Sequence, residues 1–241
     1  PLSAAAQALA EEMAVDVVAM ALGLRERLGF ACRVDPFDFR YAAIVFGSPE
    51  WCLYHGLIRR LRQHLRGVPD RGGAFRSVAK QPDAQAVSER TACVLWQALL
   101  GSRHFGAVGQ LSTDEVFSPQ QAILDGEILA YVARLMRGFP ADSAAPDPLA
   151  VIRAGVAEAS FLGVEDTVSR FRGLVDSPPL FRHWNLGRWR SEGARPMLAE
   201  AWALAQATIA RADFHLPAAA EREVDAVYRR AAVYIRARTS P

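Results

Sequence analysis

Three short strand-like segments begin near Ala31, Gly67 and Arg103, at equal intervals of 36 residues, and a helical pattern follows each of them. A strand, a loop and a helix repeated at that period form the βα unit of a parallel sheet or barrel. The strands span residues 31–34, 67–73 (weakly patterned) and 103–108. Helix starts carry their own signals. Ser3 caps a leading helix that runs to about Leu28, with Gly29 as its stop. Ser48-Pro49 opens a helix from Pro49 to about Arg66, with proline in the first turn. Pro82-Asp83 starts a third, to about Leu100, and Ser118-Pro119 a fourth, ending near Gly138. A closed (β/α)8 barrel needs about eight such units. Three units and a leading helix predict an α/β fold amounting to half of one.

The proline- and alanine-rich run at residues 140–148 (PADSAAPDP) divides the chain into 1–139, the βα units, and 140–241, a linker with a helical extension. Within the extension, residues 149–156 precede a loop through Gly163, and 167–172, 197–211 and 221–236 read as helices, which predicts a helical cap on the barrel. A half-barrel leaves two sheet edges and a core face uncovered, so the chain alone is expected to be poorly stable or to form a homo-oligomer. It begins at Pro1 and not Met, which fits a fragment of a longer reading frame.

Composition removes several function classes. With 241 residues, 51% hydrophobic and 22% charged, the chain is neither disordered nor a disulfide miniprotein. A net charge of +2 gives no strong pull on nucleic acid or on a membrane surface. Lys80 is the only lysine, and codon bias in a GC-rich genome accounts for that more simply than any selected arginine chemistry. Cys32, Cys52 and Cys93 are odd in number and lack a CxxC pair, which argues against a disulfide framework or zinc knuckle and for a reducing cytoplasm. The longest apolar stretch, residues 14–24, is interrupted by Asp16 and too short to span a bilayer. No signal peptide is read at the start.

The chemistry is expected in the strand-to-helix loops, where α/β folds place it. The first, FDFRYAAIVFGSPEWCLY at 37–54, holds Phe37, Phe39, Tyr41, Phe46, Trp51 and Tyr54, interleaved with Asp38 and Glu50 and preceded by Asp35. Ring faces beside a carboxylate suit a tertiary or quaternary ammonium, which the ring quadrupole attracts; on the local sequence alone, core packing between strand and helix is the favoured reading of several of the rings. The second, AFRSVAKQPDAQ at 74–85, gathers Arg76, Ser77, Lys80, Asp83 and Gln85, with Asp83 open to a helix-capping role. The third, GAVGQLSTDEVFSP at 106–119, is a weak phosphate loop. Asp125 and Glu127 beyond it read as solvated surface carboxylates, and Arg59, Arg60, Arg62 and Arg66 as a solvated helix face. His55, His64, His104, His183 and His215 lack metal-ligand spacing, so no metal site is expected.

Taken in order, these motifs resemble the trimethylamine methyltransferase family, the amine:corrinoid methyltransferases, in its C-terminal half. The matching pieces are the leading helix, FDFR at 37–40, GSPE at 47–50, KQPDAQAVSE at 80–89, VGQL at 108–111, SPQQAILDGEI at 118–128 and FLGVEDT at 161–167. The W-x4-W-x3-GA run through Trp184, Trp189, Gly193 and Ala194 follows. The resemblance implies a TIM barrel that moves a methyl group from a methylated amine to the Co(I) of a separate corrinoid protein, with no cofactor bound permanently. It implies that Asp38, Arg40, Asp83 and Gln85 are catalytic, and that Phe37, Phe39, Tyr41, Phe46, Glu50 and Lys80 bind substrate. Some members carry pyrrolysine in or near the loop around Lys80. The standard residues here imply the non-pyrrolysine branch, which resembles demethylases of quaternary amines such as glycine betaine. Asp166 stands where the family's FLG-x-E-H-T has histidine, and with the missing half-barrel it keeps open a non-catalytic relative that binds a quaternary amine or a partner protein. An unrelated aldolase- or decarboxylase-type barrel would need a better phosphate loop than GAVGQLSTDE.

Overall fold

The computed structural model describes residues 2–24, 34–66, 72–139 and 147–239. Three of the expected helix starts hold, each for the reason the sequence carries. Helix α2 (Pro49–Arg66) opens with Trp51 N donating to Ser48 Oγ at 3.2 Å. Helix α3 (Ala84–Leu99) opens where Ala86 N donates to Asp83 Oδ1, and α4 (Pro119–Arg137) where Gln121 N donates to Ser118 Oγ. Each side-chain oxygen satisfies an amide that has no partner inside its helix. Arg134 and Arg137 lie in the last turn of α4, the favourable end of the helix dipole for a cation. The leading helix α1 (Leu2–Ala21) ends well short of Leu28.

The strand expected at 103–108 is confined to three residues. β3 (Gly72–Ala74) and β4 (His104–Gly106) pair in parallel, with Gly73 opposite Phe105, and α3 connects them. A Cβ on Gly73 would lie 2.8 Å from the Phe105 ring, so glycine is what lets that ring cross the neighbouring strand. The expected strand at 31–34 falls largely outside the described residues, as do residues 67–71 and the boundary at 140. Two antiparallel hairpins arise inside the loops: β1 (Phe37–Asp38) with β2 (Ala43–Ile44), and β5 (Gln110–Leu111) with β6 (Val116–Phe117). The βα character of the fold is therefore present, in a helix-rich chain whose described parallel sheet is two strands wide.

The core lies between the β3–β4 pair and helices α3 and α4. Phe75, Val94, Ala98, Ile128 and Val132 form its largest cluster, with Phe105 packed against it. Buried Gln97 of α3 completes the backbone of β3: its Oε1 accepts from Ala74 N at 3.0 Å and its Nε2 donates to Ala74 O at 2.8 Å. Arg59 corrects the expectation of a solvated arginine face. It is buried and donates to Ser102 Oγ, whose own hydroxyl donates to Gly72 O at 2.9 Å. Arg62 is likewise drawn inward, to buried Glu12 of α1 at 2.9 Å.

Beyond residue 146 come α5 (Pro148–Ala157), α6 (Glu165–Leu174), α7 (Leu186–Ser191), α8 (Met197–Ala210) and α9 (Ala218–Thr239). The start of α8 packs on α4 through Leu124, Leu180 and Ala201. Polar links reinforce that contact: Gln120 Nε2 donates to Leu198 O, Phe181 N donates to Glu127, and Arg182 pairs with Glu200 at 2.8 Å. The chain divides into two compact units, Pro1–Ala205 and Gln206–Pro241. No helix among the described residues is long and apolar enough to cross a membrane.

Candidate functional site

The first loop folds into the β1–β2 hairpin, and the hairpin sorts its aromatic residues into two sets. Phe37, Phe39 and Tyr41 are 46%, 89% and 78% exposed, with the Phe37 and Phe39 rings edge to face at 5.1 Å. Phe46 and Trp51 turn inward instead and pack with Cys93. Trp51 Nε1 donates to Asp35 Oδ1 at 2.8 Å, which ties the segment entering the hairpin to the helix leaving it. Both explanations of the aromatic run are thus true, for different rings.

Asp38 and Arg40 form a closed pair on the hairpin. Arg40 donates to Asp38 through Nε at 3.0 Å, through Nη2 at 2.7 Å and through its backbone amide at 2.9 Å. These bonds, the side-chain ones foremost, hold the Asp38 carboxyl below its ordinary range and raise the Arg40 guanidinium. The same guanidinium lies 5.7 Å from the centre of the Tyr41 ring. A half-buried carboxylate and an exposed ring therefore already share one cation, supplied by their own loop.

The second loop is held from α3. Glu89 accepts from Ser77 Oγ at 2.7 Å, from Val78 N at 3.0 Å and from Gln85 Nε2 at 2.7 Å. Asp83 caps α3 through one oxygen, and exposed Lys80 curls back to donate to Val78 O at 2.6 Å. The third loop closes over the second: Ser112 N donates to Ala79 O at 2.8 Å, Thr113 N to Ser77 O at 3.3 Å, and Asp114 pairs with Arg76. Ser112, Thr113 and Asp114 all take left-handed backbone angles, an unfavourable conformation for residues with a Cβ.

The first two loops meet at Arg76. Its guanidinium lies 4.7 Å from the centre of the Phe46 ring, and its carbonyl oxygen sits 2.4 Å from where a Cβ on Gly47 would be. Gly47 is therefore required twice, by its φ of +75° and by the close approach of Arg76. No hydrogen bond or ion pair links Asp38 or Arg40 to Asp83 or Gln85. Glu50 is exposed in the first turn of α2. Among the described residues no group of three or more histidine, cysteine or carboxylate side chains gathers as a metal site would require.

Two carboxylates read as solvated are in fact interior. Asp125 and Glu127 are both buried, and Asp125 forms a two-pronged ion pair with fully buried Arg90. Asp125 also accepts from Gly109 N at 2.7 Å and Gln121 Nε2 at 2.9 Å, while Arg90 donates to Ala107 O at 2.9 Å and to Gln110 O. The third loop is thereby anchored to both α3 and α4. A sequence signal was present. Gln121, Leu124, Asp125, Ile128 and Val132 recur at helical spacing, so both polar residues fall on the apolar face of α4.

Comparison with known proteins gives one consistent answer. The family model described as trimethylamine methyltransferase matches residues 1–233. Trimethylamine methyltransferase MttB of Methanosarcina thermophila is 28% identical over 195 residues, which cover 80% of this chain and 39% of that protein. MttB2 of Methanosarcina mazei is 30% identical over 181 residues (73% and 35%), and MttB of Methanosarcina barkeri 29% identical over 175 (71% and 34%). The chain thus spans well under half the length of the curated relatives it matches.

Proposed function

The chain belongs to the trimethylamine methyltransferase family, and from that membership we propose that it serves the transfer of a methyl group from a methylated amine, a quaternary one foremost, to the Co(I) centre of a corrinoid held by a separate protein. The observation that carries this reading is the β1–β2 hairpin, where the ionised Asp38 and the exposed Tyr41 ring already hold a cation. A quaternary ammonium cannot donate strong hydrogen bonds, and ring faces with a nearby carboxylate are the surroundings that favour it. Asp38 and Arg40 on this hairpin, and Asp83 and Gln85 at the start of α3, are the proposed catalytic residues. Phe37, Phe39, Tyr41, Glu50 and Lys80 are proposed to line the substrate, with Phe46 beneath Arg76 as the floor.

Amine carbon–nitrogen bonds resist displacement, so the nitrogen must stay cationic until it leaves as a neutral amine. The reduced cobalt supplies the nucleophile. This chain's part is to bind the cation, orient it and keep water away. Exposed rings at the hairpin also fit a docked apolar macrocycle, which needs no ligand from this chain. The barrel architecture, the division at 139/140 and a cytoplasmic location belong to the same proposal. Calorimetric titration with tetramethylammonium or glycine betaine, beside isosteres in which carbon replaces nitrogen, tests it. Binding of the cations and not of the isosteres is expected, and equal binding or none contradicts the reading.

A further inference from the structure

Two of the three cysteines, 41 residues apart in sequence, meet in the fold. Cys52 on α2 packs against the buried cluster of Phe46, Trp51 and Cys93. Their surroundings differ. Cys93 on α3 is fully buried, accepts from Gln97 Nε2 at 3.0 Å and lies 3.5 Å from Ala74 O. Cys52 lines an apolar groove of about 480 Å3 between α2 and α3, with Pro49, Leu53, Ala92 and Trp96 around it. One sulfur is reachable by a small molecule and the other waits behind it.

We propose that Cys52 and Cys93 are a peroxide-reactive dithiol, in which Cys52 is oxidised from the groove and Cys93 resolves it to a disulfide that ties α2 to α3. The Cys52 thiolate attacks one oxygen of a hydroperoxide; the O–O bond breaks, Cys52 becomes a sulfenic acid, and the other oxygen leaves as water or an alcohol after taking a proton. Cys93 then attacks the Cys52 sulfur, the S–S bond forms, and the sulfenic oxygen departs as water with the Cys93 proton. Two thiols and one hydroperoxide give one disulfide, one water from the sulfenic oxygen and one further water or alcohol from the hydroperoxide, a balanced two-electron exchange. The order of attack follows from the environment. The neighbouring Cys93 thiol holds the Cys52 thiol below its ordinary range, while Cys52 and burial push Cys93 up. Because Phe46 shares the cluster and carries Arg76 on its ring, oxidation acts on the junction of the first two loops.

The test is peptide mapping of the full chain after brief exposure to hydrogen peroxide, without reduction. A linked pair of peptides containing Cys52 and Cys93 is expected, lighter by about two hydrogens than the two separate thiols and lost on treatment with a dithiol. Cys93→Ser is expected to accumulate a Cys52 sulfenic acid that dimedone traps, and Cys32→Ser to leave the linked pair intact. A cross-link that includes Cys32, or intact thiols at both positions while methionine is oxidised, would overturn the proposal. The wild-type map decides by itself if either variant folds poorly.

Discussion

Arg90 of α3 and Asp125 of α4 are both fully buried and face each other through two hydrogen bonds, one of them Nε to Oδ1 at 2.6 Å. Arg90 also spans 5.0 Å to the centre of the Phe75 ring and holds the carbonyls of Ala107 and Gln110. One ion pair thereby joins two helices, the core and the third loop. Removing one partner strands a buried charge, so Arg90→Ala or Asp125→Ala is expected to cost about 3–5 kcal/mol in denaturant unfolding. An apolar double replacement, Arg90→Met with Asp125→Leu, should be less destabilising than the sum of the singles. Additive losses would show that the two do not act as a pair.

Gly47 carries the junction of the first two loops. Its left-handed φ and the 2.4 Å approach of the Arg76 carbonyl leave no room for a Cβ. Gly47→Ala is expected to lose about 1–3 kcal/mol of stability. Gly101→Ala, also left-handed but with nothing near its Cβ, should lose less.

Asp83 holds a structural role and a proposed chemical one, and substitution separates them. Asp83→Ala removes the α3 cap and should cost about 1 kcal/mol, whereas Asp83→Ser keeps the cap and should be close to neutral. If the carboxylate serves the amine, both variants lose methyl transfer to the same extent. Activity that follows stability instead, retained in Asp83→Ser, would confine Asp83 to capping.

The Asp38–Arg40 pair sets a pH dependence with a definite sign. A carboxyl held low by its partner stays ionised as pH falls through the ordinary carboxylate range, and its interactions persist above its lowered value and vanish below it. Carboxyl-carbon NMR should therefore show Asp38 titrating below the ordinary aspartate range, and Arg40→Gln should move it upward. An unchanged titration in Arg40→Gln would mean that the guanidinium is not what holds it.

Local signals in the sequence carry helix starts well and long-range pairing poorly. Ser48-Pro49, Pro82-Asp83 and Ser118-Pro119 are short-range devices, and their helices begin where those residues stand. Hairpins β1–β2 and β5–β6 have strands of two residues each, too short for a period-two pattern. Arg59, Arg62, Asp125 and Glu127 looked solvated because charge predicts exposure. Their partners Ser102, Glu12, Arg90 and the amide of Phe181 lie on other elements, between 35 and 54 residues away. For the same reason the meeting of Cys52 with Cys93 left no trace in their spacing. At the candidate site, composition pointed to the aromatic loop, and only the fold separated exposed Phe37, Phe39 and Tyr41 from interior Phe46 and Trp51.

Methyl transfer itself is the most direct test of the central claim. The full-length protein, supplied with cob(I)alamin and a panel of tertiary and quaternary methylamines, can be followed by the absorbance of methylcobalamin. Formation of methylcobalamin from a quaternary amine, abolished in Asp38→Ala, is the predicted result. An amine that binds without giving up its methyl group would make the protein a binding member of its family, and failure of every amine either to bind or to react would contradict the account.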